Sequence, residues 1–253
     1  REEMFKVARW WLDQGVDGFR VDAIAHLARD LSFTDSELPL NDHGVAPDWA
    51  KFSNREELFD YIHEFNEKVL SHYDCMSVGE VGGGVKIEAG VCYAGYDAQA
   101  FNMVFNFDHC WSKGGMDILN DDDKMIVDVV QLKENMAYWI NGMKDKGWLP
   151  HYWLNHDHPR VISQYGDPEH HHRLSGMMLG TILLTLPGTP FIYNGEEIGM
   201  TNVDYESIDD FKDVWVKNNA PALLKKYPLE LVLRHLRRTS RDNARTPMQW
   251  TDE

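Results

Sequence analysis

Basic residues are scarce in this sequence, with 25 Lys and Arg set against 41 Asp and Glu for a formal charge of −16 and a pI near 5.1. Such a chain is repelled by nucleic acid and by anionic membrane, so neither is an expected partner, and a neutral or cationic ligand is easier to hold. Cysteine is also rare. Cys75, Cys92 and Cys110 are odd in number and have no CxxC spacing, which excludes a disulfide framework and a thiolate zinc site and makes a cytoplasmic setting the expectation. Long apolar runs are missing: the longest, around residues 177–187, is far short of the roughly 20 residues a membrane span needs, and no signal peptide opens the chain. An initiator methionine is lacking too. Arg1 already lies in a helical pattern and Glu253 follows an apolar stretch at 248–250, so both ends read as interior points of a longer chain.

What is present starts with an ordinary apolar fraction, 43% of 253 residues, enough for a sizeable core. Met4, Phe5, Ala8, Trp11 and Leu12 recur at helical spacing, Gly15 stops the helix, and 16–21 reads as a strand that delivers Arg20 and Asp22 to its end. Residues 30–52 form a long irregular loop of a length that is more often functional than accidental. Ser53 with Glu56 reads as a capping box for a helix carrying Leu58, Ile62, Phe65, Val69 and Leu70. A second strand, 75–78, is expected to end in Gly79 and Glu80 ahead of a glycine-rich loop. A third spans 101–107, then a helix 129–143, a fourth strand 151–154 running into Asn155-His156-Asp157-His158-Pro159-Arg160, a helix 174–186, and a fifth strand 189–193 ending in Asn194-Gly195-Glu196-Glu197.

Strands alternating with helices imply an α/β fold with parallel pairing. Polar groups gathered at the carboxyl ends of successive strands are the layout of a (β/α)8 barrel, whose chemistry sits on that face. Five strands do not close such a barrel. The expectation is a partial TIM barrel, roughly strands 4 to 8 with their helices.

Paired carboxylates across a scissile bond are what glycoside hydrolysis requires, one to attack or activate water and one to protonate the leaving oxygen. Asp22 and Glu80 sit at successive strand ends. Arg20 would hold Asp22 ionised while a less solvated Glu80 keeps its proton, and Asp157 offers a third anion for an oxocarbenium-like transition state. Taken singly these residues have plainer readings. Arg20 with Asp22 could be a buried structural ion pair. His151, His156 and His158 could hold a metal, although adjacent residues in an extended segment point to opposite faces and keep Asp157 out of it. The His170–His172 run reads as a solvated loop, Trp10, Trp11, Met177 and Met178 as core, Cys75 as a buried strand residue, Glu196 and Glu197 as loop anchors, and Asp121–Asp123 as a solvated turn.

Four motifs in order, GFRVDAIAHL, SVGE, NHDHPR and GTPFIYNGEEIGM, followed by RDNARTPMQW, closely resemble the α-amylase superfamily of retaining glycoside hydrolases, in its oligo-1,6-glucosidase, dextran glucosidase and α-glucosidase branch. The resemblance runs from the first helix to the last residue. It implies Asp22 as nucleophile, Glu80 as general acid/base, Asp157 as transition-state stabiliser, Arg20 and His156 as their partners, and Arg241 or Arg245 as a ligand of the terminal glucose. It also implies a small oligosaccharide substrate, no cofactor and no metal. Ala23, where relatives preferring α-1,6 links often carry valine, points to α-1,4 or mixed linkage. The family's first three strands, its inserted small domain and its C-terminal β-domain have no counterpart here, so residues 1–253 are expected to be the C-terminal part of the catalytic barrel and inactive alone. A transglucosylase or sugar isomerase on this scaffold, a non-catalytic relative such as the heavy subunits of amino-acid transporters, and a metal-dependent hydrolase are the competing readings.

Overall fold

Gly15, at φ +90°, ends helix α1 (Glu2–Asp13) and lets the chain reverse into strand β1 (Gly18–Val21). Gly18 is needed for a different reason: a Cβ there would lie 1.8 Å from the carbonyl oxygen of Met76, so only glycine admits the neighbouring strand so closely. The computed structural model describes residues 1–41, 44–112, 118–119 and 127–251. Asp121–Asp123, and Asp42 of the long loop, lie outside them.

The chain divides into two compact units, Arg1–Asp108 with Ala137–Pro150, and His109–Met136 with His151–Glu253. In the first, β1, β2 (Met76–Gly82) and β3 (Met103–Asn106) form a parallel sheet in that order, with Gly18 opposite Met76 and Glu80 opposite Phe105. Helix α2 (Glu57–Lys68), α3 (Ile87–Ala94) and the latter part of α4 (Val129–Met143) pack around it. Ile24, Leu58, Ile62, Val81, Tyr93, Val104, Trp139 and Met143 are the centre of that core. The second unit holds α5 (Val161–Tyr165), α6 (His172–Thr185), α7 (Val214–Lys226), α8 (Leu229–Thr239) and β5 (Thr189–Pro190), together with His151 of β4 (Pro150–His151), the strand paired to β5. It has two apolar clusters, one built on Trp153, Ile162 and Leu183, the other on Phe211, Val216, Val232 and Leu236.

Several sequence expectations need correction. Strand β2 does not stop at Glu80: Val81 is buried and the ladder with β3 continues through a bulge to Gly82, so the acid lies inside the strand. Cys75 precedes that strand and is only half-buried. The expected strands 151–154 and 189–193 shrink to the two-residue pieces Pro150–His151 and Thr189–Pro190, and Tyr152, Trp153 and Leu154 are buried by packing rather than in a ladder. Ser53 does not cap α2. The helix starts at Glu57, its N-cap Glu56 makes no side-chain bond, and the Ser53 hydroxyl accepts from the Asn54 amide. Trp10, Trp11, Met177 and Met178 are exposed rather than core, since α1 buries its Phe5 and Leu12 face against Val69 and α6 buries Leu179 and Leu183.

Candidate active site

In the first unit Val21 ends β1 and Asp22 follows, with Ala23 turning the chain into a short 3-10 turn at Ile24–His26. The turn forces Ala23 into the left-handed region, φ +46° and ψ +39°. That conformation aims the Ala23 N–H at Glu80 on the adjacent strand, 3.4 Å from Oε2. Arg20 lies between the two acids: Nη1 donates to Asp22 Oδ1 at 2.6 Å and Nη2 to Glu80 Oε2 at 2.5 Å. One guanidinium therefore spans both carboxyls.

Their surroundings differ sharply. The Asp22 side chain is 74% exposed and that of Glu80 10%. The reading of Asp22 as half of a buried pair is thus wrong; the acid lies exposed at the strand end, paired with Arg20 and open to solvent. Burial first, and then the hydrogen bond with Asp22, push the Glu80 pKa upward, against the attraction of Arg20 and the Ala23 N–H. This is the division of labour general acid catalysis asks for, one carboxyl in water and one inclined to keep a proton.

In the second unit Asn155 folds the NHDHPR segment into a turn by accepting the Asp157 N–H at 2.8 Å. The segment is consequently not extended, and His156 Nε2 comes to 3.3 Å from Asp157 Oδ2, contrary to the expectation that neighbours here face apart. Asp157 Oδ1 receives two guanidiniums, Arg241 Nη1 and Arg245 Nη2, each at 3.0 Å. Arg245 also donates from Nε to the His156 carbonyl at 2.9 Å. The cluster His156, Asp157, Arg241 and Arg245 is therefore a contiguous one, drawn from two motifs over eighty residues apart.

Two residues here escaped the sequence reading. Arg160, only 1% exposed, donates to the carbonyls of Asn194 at 2.6 Å and Asn243 at 3.0 Å, tying the NHDHPR turn to the 194–197 loop and to the RDNAR segment. Asp213, 6% exposed, takes Nε and Nη2 of Arg241 at 2.8 and 2.7 Å. Its one sequence signal is an acid immediately ahead of a helix. A cleft of about 360 Å³ beside it is lined by Tyr205, Lys212, Asp213, Arg241, Arg245 and Pro247.

Of the residues of the metal reading, His151 and His156 have protein partners. His151 Nε2 lies 3.0 Å from the Pro187 carbonyl, and among the described residues no three His, Cys, Asp or Glu converge as a metal site would need. In the 170–172 run, His170 is exposed and His172, the first residue of α6, meets the Gly199 carbonyl at 2.7 Å. Glu196 and Glu197 accept the N–H groups of Tyr193 and Gly195 at 2.9 and 2.8 Å and so hold their own turn.

The family model of the α-amylase catalytic domain matches residues 1–253. The chain belongs to the α-amylase family. It is 38% identical to an oligo-1,6-glucosidase of Bacillus cereus over 259 residues, covering 100% of this chain and 45% of that protein. Among solved structures, a trehalose-6-phosphate hydrolase of Bacillus licheniformis matches with a TM-score of 0.87 at 33% identity, over 100% of this chain and 44% of that one. An isomaltulose synthase of Klebsiella sp. LX3 matches with a TM-score of 0.84 at 30% identity, over 100% and 45%. The chain thus spans less than half the length of these relatives. Among the described residues no helix is long and apolar enough to cross a membrane.

Proposed function

We propose that these 253 residues are the later part of a catalytic (β/α)8 barrel, roughly strands 4 to 8, in a cytoplasmic enzyme that hydrolyses α-1,4 and/or α-1,6 glucosidic bonds of short gluco-oligosaccharides with retention of configuration. The observation that carries the reading is the Arg20 guanidinium bonded to an exposed Asp22, just past one strand, and to a buried Glu80 of raised pKa on the adjacent parallel strand, in a chain of the α-amylase family. In the first step Asp22 attacks the anomeric carbon, the glycosidic C–O bond breaks, and the leaving oxygen takes the Glu80 proton. In the second, Glu80 takes a proton from water, which displaces Asp22 from the glucosyl ester. Arg20 keeps Asp22 anionic for the attack. Asp157 stabilises the positive charge that develops on the sugar, with His156 as its partner.

Of the two arginines, Arg245 is assigned the contact with glucose. All three nitrogens of Arg241 are on carboxylates, whereas Nη1 of Arg245 has no hydrogen bond among the described residues. The 253-residue chain is proposed to be inactive without the remainder of its barrel. The test is Asp22→Asn in the full-length protein, assayed on a nitrophenyl α-glucoside: turnover should vanish, and undiminished activity would remove Asp22 from the chemistry. A second reading, sugar isomerase or transglucosylase, is favoured by the likeness to the isomaltulose synthase; chromatography of products from sucrose and from maltose separates the two, isomerised or transferred sugars supporting the second.

A further inference from the structure

The contact of Asp213 with Arg241 has consequences for Asp157. Asp213 would be fixed even without the arginine: it is the N-cap of α7, its Oδ1 accepting the Trp215 N–H at 3.0 Å, and its own N–H donates to Asp242 Oδ2 at 2.9 Å. Asp242 is buried as well and takes the Lys212 N–H at the same distance, so Asp213 rests on a rigid piece of main chain. Arg241 then lays Nε and Nη2 across the Asp213 carboxylate. A guanidinium is planar, so pinning two of its nitrogens fixes the direction of the third, and that third nitrogen, Nη1, is the one bonded to Asp157.

Both arginines reach the same Asp157 oxygen, Oδ1, which leaves Oδ2 facing His156. Freed from Asp213, Arg241 would be drawn to the bidentate arrangement that guanidinium and carboxylate prefer, and would occupy Oδ2 as well. Asp213 also takes up part of the arginine's charge. Burial pushes the pKa of Asp213 upward, but the hydrogen bonds from Arg241 and the Trp215 N–H outweigh it and hold the group below the usual carboxylate range. The bond to Asp213 likewise heads the causes that raise the pKa of Arg241.

We propose that Asp213 is a positioning residue for Asp157, holding Arg241 on a single oxygen of that carboxylate so that the other stays available to substrate. The inference rests on the role given to Asp157 above and assigns Asp213 no contact with the reacting atoms. Asp213→Asn keeps an oxygen to cap α7 but turns an N–H toward the arginine.

The test is a double-mutant cycle in the full-length enzyme with Asp213→Asn, Arg241→Met and the pair, read as kcat and KM on maltose. Each single change should lower kcat/KM about 10- to 100-fold, mainly through kcat, and the pair should be little worse than Arg241→Met, because both remove one device. Asp213→Glu should recover part of the loss. Asp213→Asn within twofold of wild type, or losses that multiply in the pair, would overturn the proposal. A readout independent of turnover is the NMR signal of the Arg241 Nε–H together with the Asp157 carboxyl carbon. Both should move in Asp213→Asn; an unmoved Asp157 resonance would count against the inference. A wild type without glucosidase activity defeats the functional reading and leaves this resonance test to decide on Asp213.

Discussion

Replacing Glu80 by Gln separates two consequences of burying a carboxyl beside a strand-end nucleophile. As the proposed proton donor, Glu80 should matter in proportion to how badly the leaving group needs a proton. General acid–base catalysis is worth roughly 10² to 10⁴ in rate, or about 3 to 5 kcal/mol of barrier. Glu80→Gln should therefore lose about that much kcat/KM, which reports the first step, on maltose or isomaltose, whose leaving alkoxide is strongly basic, and far less kcat/KM on a nitrophenyl glucoside, whose leaving phenolate needs no proton. The alkaline limb of the pH profile, set by the raised pKa of Glu80, should disappear on the natural substrates. Stability should respond in the opposite sense. A carboxyl whose folded pKa is raised stabilises the fold below its unfolded pKa and loses that contribution as pH rises through the folded value, so the wild type should decline relative to Glu80→Gln upward from about pH 4.5. At neutral pH the relief of a side chain only 10% exposed is offset by weakening a charge-assisted bond from Arg20, itself worth about 1.5 to 3 kcal/mol, and the variant should match or slightly exceed wild-type stability. Steady-state kinetics on both substrate types and denaturant titrations from pH 4 to 8 measure the two effects. Equal losses of kcat/KM on both substrates would refute Glu80 as the acid, and a variant that loses stability relative to the wild type as pH rises would refute the account of its burial.

Ala23 at φ +46° leaves little room for a β-branched side chain, so Ala23→Val should cost about 1 to 2 kcal/mol in urea titrations and displace the N–H that meets Glu80; an unchanged stability would show that the turn relaxes freely. Glu196, pushed up by burial to a pKa of about 7, should stabilise the fold below about pH 4.5 and lose that contribution as pH rises through 7. Glu196→Gln should then gain on the wild type by about 1 to 3 kcal/mol between pH 5 and 8.5, and parallel stability curves would contradict it.

The sequence made much of this legible because the decisive residues are local in the chain. Gly18, Arg20 and Asp22 lie within five consecutive positions at one strand and its end, α4 falls where the sequence places a helix, at about 129–143, and the acids at 22, 80 and 157 each stand in a short motif. Where reading failed, the controlling contact was distant. The extension of β2 past Glu80 depends on pairing with β3, and the exposure of Trp10 and Trp11 on which face of α1 meets Val69. Asp213 was invisible because an acid before a helix is an ordinary cap; only folding brings it to an arginine 28 positions away. The sharing of Arg20 between both acids was likewise out of reach, since Glu80 is 60 positions further on.

The account stands on Asp22 as the atom that becomes bonded to sugar, and trapping shows this most directly. The full-length protein would be treated with a fluorinated α-glucosyl fluoride that forms the ester readily and hydrolyses slowly, then digested and sequenced by mass spectrometry. The account predicts one glucosyl adduct, on the carboxyl of Asp22, and none in Asp22→Asn. An adduct on another residue, or turnover giving the inverted anomer with no adduct at all, would contradict it.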